Sequence, residues 1–318
     1  MKLTKTPLAL MRFSAALAGA VLLVACAKVE DHASFKTPEA AVDAFIAALQ
    51  KDDVPALHKL LGPGAEDLLS SGDPVQDKAG RDEFLAAYQA KHSFTDDGND
   101  TKTLVVGQND WPFPIPLVAK DGKWRLDGEA GADELVYRRV GANELGAIAV
   151  CEGFVDAQVE YASAGHDGDP PGIYALKLIS DEGMQNGLYW PTAEDEPPSP
   201  AGPFVAAAAA EGYRRGAERT PYHGYYYRLL YAQGANANGG AKEYFVDGVM
   251  TGGFAIVAWP ADYGASGVQT FIVNQDGVVF QKDLGEDTAT VVETIKSFDP
   301  DSSWTAVTPQ DLAAATGS

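Results

Sequence analysis

Residues 133–163 read DELVYRRVGANELGAIAVCEGFVDAQVEYAS, a run of 31 positions without a proline. Leu145, Ile148, Cys151, Val155 and Val159 fall on one helical face, and any interruption is expected near Gly141. The stretch predicts a long helix bridging two domains, and the segments on either side of it differ in kind.

Upstream, helices come first. Thr37-Pro38-Glu39 supplies a capping hydroxyl, a proline where its missing N–H costs nothing, and a carboxylate suited to the helix dipole. Val42, Phe45, Ile46 and Leu49 follow at helical spacing. A second helix carries Leu57, Leu60 and Leu61 to Gly62-Pro63, and a third, around Asp82–Lys91, presents Phe84, Leu85 and Tyr88. After Thr95–Asp100, read as a polar loop, the period changes to two. Strands are predicted over Leu104–Val106, Ile115–Ala119 and Lys123–Asp127, the last two joined at the hairpin dipeptide Asp121-Gly122.

Downstream, Asp167–Pro203 is rich in proline, glycine and acid and predicts a surface loop region. Phe204–Ala210 favours a short helix. A strand opens at Gly224-Tyr225, and others follow at Phe254–Trp259, Val268–Val273 and, after a turn at Asn274–Gly277, Val278–Lys282. The fold class is therefore α+β in two domains: helices on a curved antiparallel sheet over 36–132, then a long helix packed on a second antiparallel sheet over 133–310, with a tail at 311–318.

The first 26 residues have a basic start, an apolar run from Phe13 to Ala25, and Leu23-Val24-Ala25-Cys26. The run spans about 20 Å as a helix, short of the ~20 residues a bilayer crossing needs. It reads as a signal peptide over 1–25. The four residues ending at Cys26 resemble the lipobox of bacterial lipoproteins, which implies lipidation of Cys26 and a membrane-anchored, palmitate-bearing chain tethered through 26–35. Ala27, in place of Asp, implies sorting to the cell outer membrane facing the periplasm. Multiple acyl chains anchor stably without a spanning helix. Cys151 is then the one remaining thiol, so no intramolecular disulfide forms.

The 24 Lys and Arg against 45 Asp and Glu give a net charge of −21, which becomes −24 once Lys2, Lys5 and Arg12 leave with the signal. Phosphate neutralisation needs a basic patch. The nearest approaches are Arg138-Arg139 and Arg214-Arg215, so no nucleic-acid partner is expected.

The five histidines form no metal-binding pair at helical or turn spacing. No Gly-x-Ser-x-Gly elbow, Ser-x-x-Lys pair, phosphate-cradling loop or dinucleotide fingerprint occurs. No catalytic residue, cofactor or metal ligand is assigned. Asp167-Gly168-Asp169 can converge on calcium but lacks further loop ligands, and a plain turn is the competing reading. Glu194-Asp195-Glu196 reads as a solvated loop. Tyr222, Tyr225, Tyr226, Tyr227 and Tyr231 fall within ten residues; sheet packing, glycan stacking and a partner surface are all open to them. Trp111, Trp190 and Trp259 each precede proline, which forces extended backbone and fixes the ring; they read as packing anchors, with a pocket wall the competing reading for one of them. Cys151, on an apolar face, reads as an inert buried thiol.

Helices followed by a hairpin ending in Gly122-Lys123-Trp124-Arg125-Leu126-Asp127 resemble the cone-shaped domains of the nuclear transport factor two superfamily over about residues 35–130, which implies a cavity at the wide end. Asn143 to Ser163 and the strands after Gly224 resemble the head of type IV pilins and pseudopilins. Here, however, a folded domain and a lipid anchor stand where pilins carry their polymerising helix. Across Phe35 to about Val307 the chain resembles an uncharacterised exported bacterial family, domain of unknown function 2950. That match is carried by Trp111–Pro116, Gly187–Pro191, Pro221–Tyr226 and Met250–Phe254.

The functional expectation is a cell-envelope lipoprotein acting as a non-enzymatic interaction or structural module, held to the membrane by its anchor and working with an envelope protein partner. The alternative is small-molecule binding or acid-base chemistry in a cavity of the first domain.

Overall fold

The computed structural model describes residues 32–63, 66–193, 195–210 and 220–308. Cys26, the signal segment 1–25, nearly all of the tether, Glu194 and the tail 311–318 lie outside them. Helix α1 (Pro38–Gln50) starts where Thr37 Oγ1 accepts the amide of Ala40 at 3.2 Å, and it buries Val42, Phe45, Ile46 and Leu49. Helix α2 (Val54–Leu61) is capped by Asp53 and ends at Gly62, whose φ of +84° suits glycine. After the short α3 (Glu66–Leu69) comes α4 (Pro74–Ala90), capped by Asp73, whose Oδ1 accepts the amides of Val75 and Gln76 at 3.1 Å. This helix begins eight residues before the expected Asp82. Its first two turns carry no apolar stripe, so only the Asp-Pro start signals them.

Strands β1 (His92–Gly98) and β2 (Thr101–Val106) form an antiparallel hairpin turning at Asn99-Asp100, both at positive φ. The expected polar loop Thr95–Asp100 is therefore mostly strand. β1 is an exposed edge, and its Asp96 and Asp97 meet solvent, which hides the alternation and discourages edge pairing. β3 (Trp111–Pro112) pairs with β2, and β4 (Leu117–Lys120) pairs with β5 (Lys123–Leu126) across Asp121-Gly122, at φ +53° and +70°. That is the mirror-image turn a two-residue hairpin requires. α1, α2 and this sheet enclose a first core around Phe45, Leu57, Leu104, Phe113, Ile115 and Leu117.

Helix α5 (Gly128–Ser163) runs unbroken for 36 residues, about 54 Å at ~1.5 Å per residue. Asp127 caps it, so the helix begins five residues before the expected Asp133. A Cβ at Gly131 would lie 2.6 Å from Ile115 Cα, so glycine there lets the helix approach the first core. Its second half faces a second core with Ala147, Cys151, Phe154, Gln158 and Tyr161. The buried stripe is thus rotated from the expected one, and Val159 is 57% exposed. Small residues set this rotation: a Cβ at Gly153 would run into the Phe204 ring.

The expected loop Asp167–Pro203 contains a parallel pair, β6 (Lys177–Ile179) with β7 (Gly187–Tyr189), too short to show a period in sequence. α6 (Gly202–Ala210) follows as expected. The second sheet joins β8 (Tyr225–Leu230), β13 (Ala255–Pro260), β14 (Gln269–Asn274), β15 (Phe280–Asp283) and β16 (Thr305–Ala306), all antiparallel, in spatial order β16-β15-β14-β13-β8. Between β8 and β13 lie the small ladders of β9 (Ala232–Gln233) with β10 (Lys242–Glu243) and β11 (Phe245–Val246) with β12 (Val249–Met250). α7 (Thr288–Val291) and a 3₁₀ turn at Val292–Thr294 complete the element order. β13 is buried at every position, and α5 packs across β13 and β14. The architecture is α+β, with several antiparallel sheets and a long helix against one of them.

A buried polar seam ties the two cores. Asp73 Oδ2 accepts from Gly224 N at 3.1 Å, Gln76 Nε2 donates to Asn143 Oδ1, and Asn143 Nδ2 donates to Ser266 O at 2.8 Å. Glu144 Oε1 accepts from Val268 N and Gln269 N at 3.0 and 2.9 Å.

Candidate functional site

Helix α4 lies over the first core without burying a single residue fully. Its core-facing turns offer Gln76, Ala79, Gly80 and Arg81 before Phe84 supplies a large apolar side chain, so the packing beneath stays unfilled. The result is a cavity of about 560 Å³. Its floor is Phe45, Leu57, Leu61, Phe113 and Ile115, all buried. Phe84 and Trp111 wall it, their ring centroids 6.4 Å apart at 76°, and Phe84 stands 4.9 Å from Phe113. Leu68 and Leu69 of α3 and Leu135 of α5 add apolar surface. A second depression of about 740 Å³ shares Gly80, Glu83, Phe84 and Trp111 with the first.

The polar groups sit among this lining. Arg81 Nη2 lies 3.1 Å from Asp52 Oδ1, and Asp77 accepts from Ser71 Oγ at 2.6 Å and from Ser71 N. Arg139 Nε donates to Ala265 O at 2.8 Å. Arg138 Nε donates to Glu134 Oε1 at 2.7 Å, and its guanidinium carbon is 5.5 Å from the Trp111 ring centroid. Glu83 also lines the cavity. The buried Gln76 Oε1 has no hydrogen-bond partner. Three of the chain's nine arginines thus meet at one apolar cavity, in a protein with a net charge of −21.

The residues singled out from sequence lie elsewhere, with one exception. Cys26 falls outside the described residues. Asp167 sits at φ +52° and accepts Gln185 N at 2.7 Å, while Asp169 N donates to His166 O at 2.9 Å, so the segment forms a turn. Among the described residues, no group of three or more His, Cys, Asp or Glu is arranged to hold a metal ion. Tyr225 is buried with its hydroxyl on Gln269 O at 2.9 Å, Tyr226 and Tyr227 are half-buried, and Tyr231 is exposed. Burial, and then Glu144, holds the Tyr225 phenol well above its ordinary range. Burial likewise pushes the Cys151 thiol up to about 12, which leaves it protonated and unreactive. Trp259 is buried under the Arg228 guanidinium, and Trp190 packs on Tyr161 and His166. Trp111 is the exception, because it walls the cavity. Arg81 and Arg138 carried no signal as site residues: they are far apart in sequence, and each has an acidic neighbour within four positions.

A family model described as "Protein of unknown function (DUF2950)" matches residues 32–307. The chain belongs to this family. No curated protein and no solved structure matches it. The likenesses of the two halves of this DUF2950 chain to cone-shaped domains and to pilin heads therefore rest on element order alone. Among the described residues, no helix is long and apolar enough to cross a membrane.

Proposed function

We propose that this DUF2950 chain is a non-enzymatic binding module of the cell envelope, with the cavity under α4 as its working site. One observation carries the reading: a space of about 560 Å³ with aromatic and aliphatic walls and a few polar groups among them, inside the ~300–1,000 Å³ range of small-molecule sites. Acid-base chemistry is less well served by the same lining. Asp52 is engaged by Arg81 and Asp77 by Ser71, and no described histidine lines the cavity. The cellular address rests on the apolar run before Cys26: a lipid anchor there would hold the module at the outer membrane, facing the periplasm, where it would meet an envelope partner at raised effective concentration.

An apolar fluorophore such as N-phenyl-1-naphthylamine tests the site. We expect saturable one-to-one binding that Leu135→Trp, which fills the cavity, abolishes without lowering the melting temperature. Absence of saturable binding, or binding indifferent to Leu135→Trp, defeats the proposal. For the address, mass spectrometry of the native N-terminus should find an acylated Cys26, and Cys26→Ser should release the chain from membranes. An unmodified terminus defeats it.

A further inference from the structure

We propose that the cavity takes a small amphiphile with one anionic head, its apolar body on the Phe45–Phe113 floor and its head on Arg138; this rests on the binding reading above. The three lining arginines are not equivalent. Arg81 is committed to Asp52 and Arg139 to the carbonyl of Ala265. Arg138 spends only its Nε, on Glu134, and neither Nη group has a hydrogen-bond partner among the described residues. Those two groups form the planar fork that accepts a carboxylate bidentately. The guanidinium is held in advance: the Trp111 ring lies 5.5 Å from its carbon, and Glu134 fixes its orientation from the preceding helical turn. Less side-chain freedom is then lost when an anion arrives. The same Trp111 ring walls the apolar space, so one residue joins the part that takes a hydrocarbon body to the part that takes a charge. The three lining arginines are matched by Asp52, Asp77 and Glu83, so the head group is placed by the fork of Arg138 and not by the net charge of the lining.

The test uses the full chain carrying Cys26→Ser and titrates it calorimetrically with three ligands of one chain length: dodecanoate, dodecan-1-ol and dodecyltrimethylammonium. Dodecanoate should bind at least about tenfold tighter than the cation. Arg138→Gln should weaken dodecanoate about tenfold and leave dodecan-1-ol unchanged, and Arg138→Lys should recover part of the loss. An unaltered melting temperature in Arg138→Gln separates this effect from misfolding. If the acid and the alcohol bind equally and Arg138→Gln changes neither, the head-group assignment falls while the binding reading stands. Preference for the cation overturns the assignment in favour of Glu83. If none of the three binds, both readings fall.

Discussion

Asp73 and Gly224, 151 residues apart, meet through a single carboxylate: Oδ1 caps α4 on the amides of Val75 and Gln76, while Oδ2 accepts the buried amide of Gly224 at 3.1 Å. One side chain therefore starts a helix of the first core and docks it on the loop that opens the second sheet. Asp73→Ala should lose both roles. The lost cap costs about 1 kcal/mol, and the orphaned buried amide costs about 1–3 kcal/mol more. Asp73→Ser restores the cap but cannot serve both amide sets, so urea unfolding should place it between Asp73→Ala and the parent. Equal stability of Asp73→Ser and the parent would mean that the Gly224 contact contributes nothing.

Two glycines of α5 should respond in opposite directions. A Cβ at Gly131 meets the Ile115 backbone at 2.6 Å, whereas one at Gly141 meets nothing within 4 Å. Gly141→Ala should stabilise by up to about 1 kcal/mol through helix propensity. Gly131→Ala should destabilise by about 1–3 kcal/mol, because the helix must move off the first core. Thermal melts of both variants check the pair, and a shift of the same sign for both contradicts the close approach.

Alkali should weaken the fold. Burial lifts Tyr161 and Tyr244 from 10.0 to about 12 and Cys151 from 9.0 to about 12. The unfolded chain releases these protons at the ordinary values, so above them the native state holds more protons than the unfolded one. Stability is then complete below pH 9 and falls as pH rises from there toward 12. Melting temperatures between pH 8 and 11 should show this fall, with a shallower slope in Tyr161→Phe. A flat profile contradicts it.

In a chain carrying Cys26→Ser, Cys151 is the single thiol, and it is fully buried. A disulfide reagent at pH 8 should label it only as fast as the protein opens, and within seconds in denaturant. Rapid labelling of the folded chain would show that α5 does not cover its second core.

Much of the scaffold is legible in the sequence. Thr37-Pro38, Gly62 and Asp121-Gly122 announce element ends because cap and turn chemistry is local. β1 and the first turns of α4 were not readable, because an exposed edge strand and a helix that lies over a void lack the apolar period that identifies buried elements. The cavity was illegible for the same reason. A hollow is made by what Gln76, Ala79 and Gly80 fail to fill, and the side chains that ring it come from six separate elements. The rotation of the α5 stripe is hidden in the sequence because alanine and glycine, which permit close packing, weigh little in a hydrophobic count.

Helix α5 gives Leu135 to one core and Cys151 to the other within a single uninterrupted hydrogen-bonded rod. A cut placed anywhere along it would leave each fragment with a greasy wound, so neither half should survive as an independent product when expressed separately. Melting of the intact body should accordingly be a single event, with the rod acting as the shared spine through which loss of one core is felt by the other.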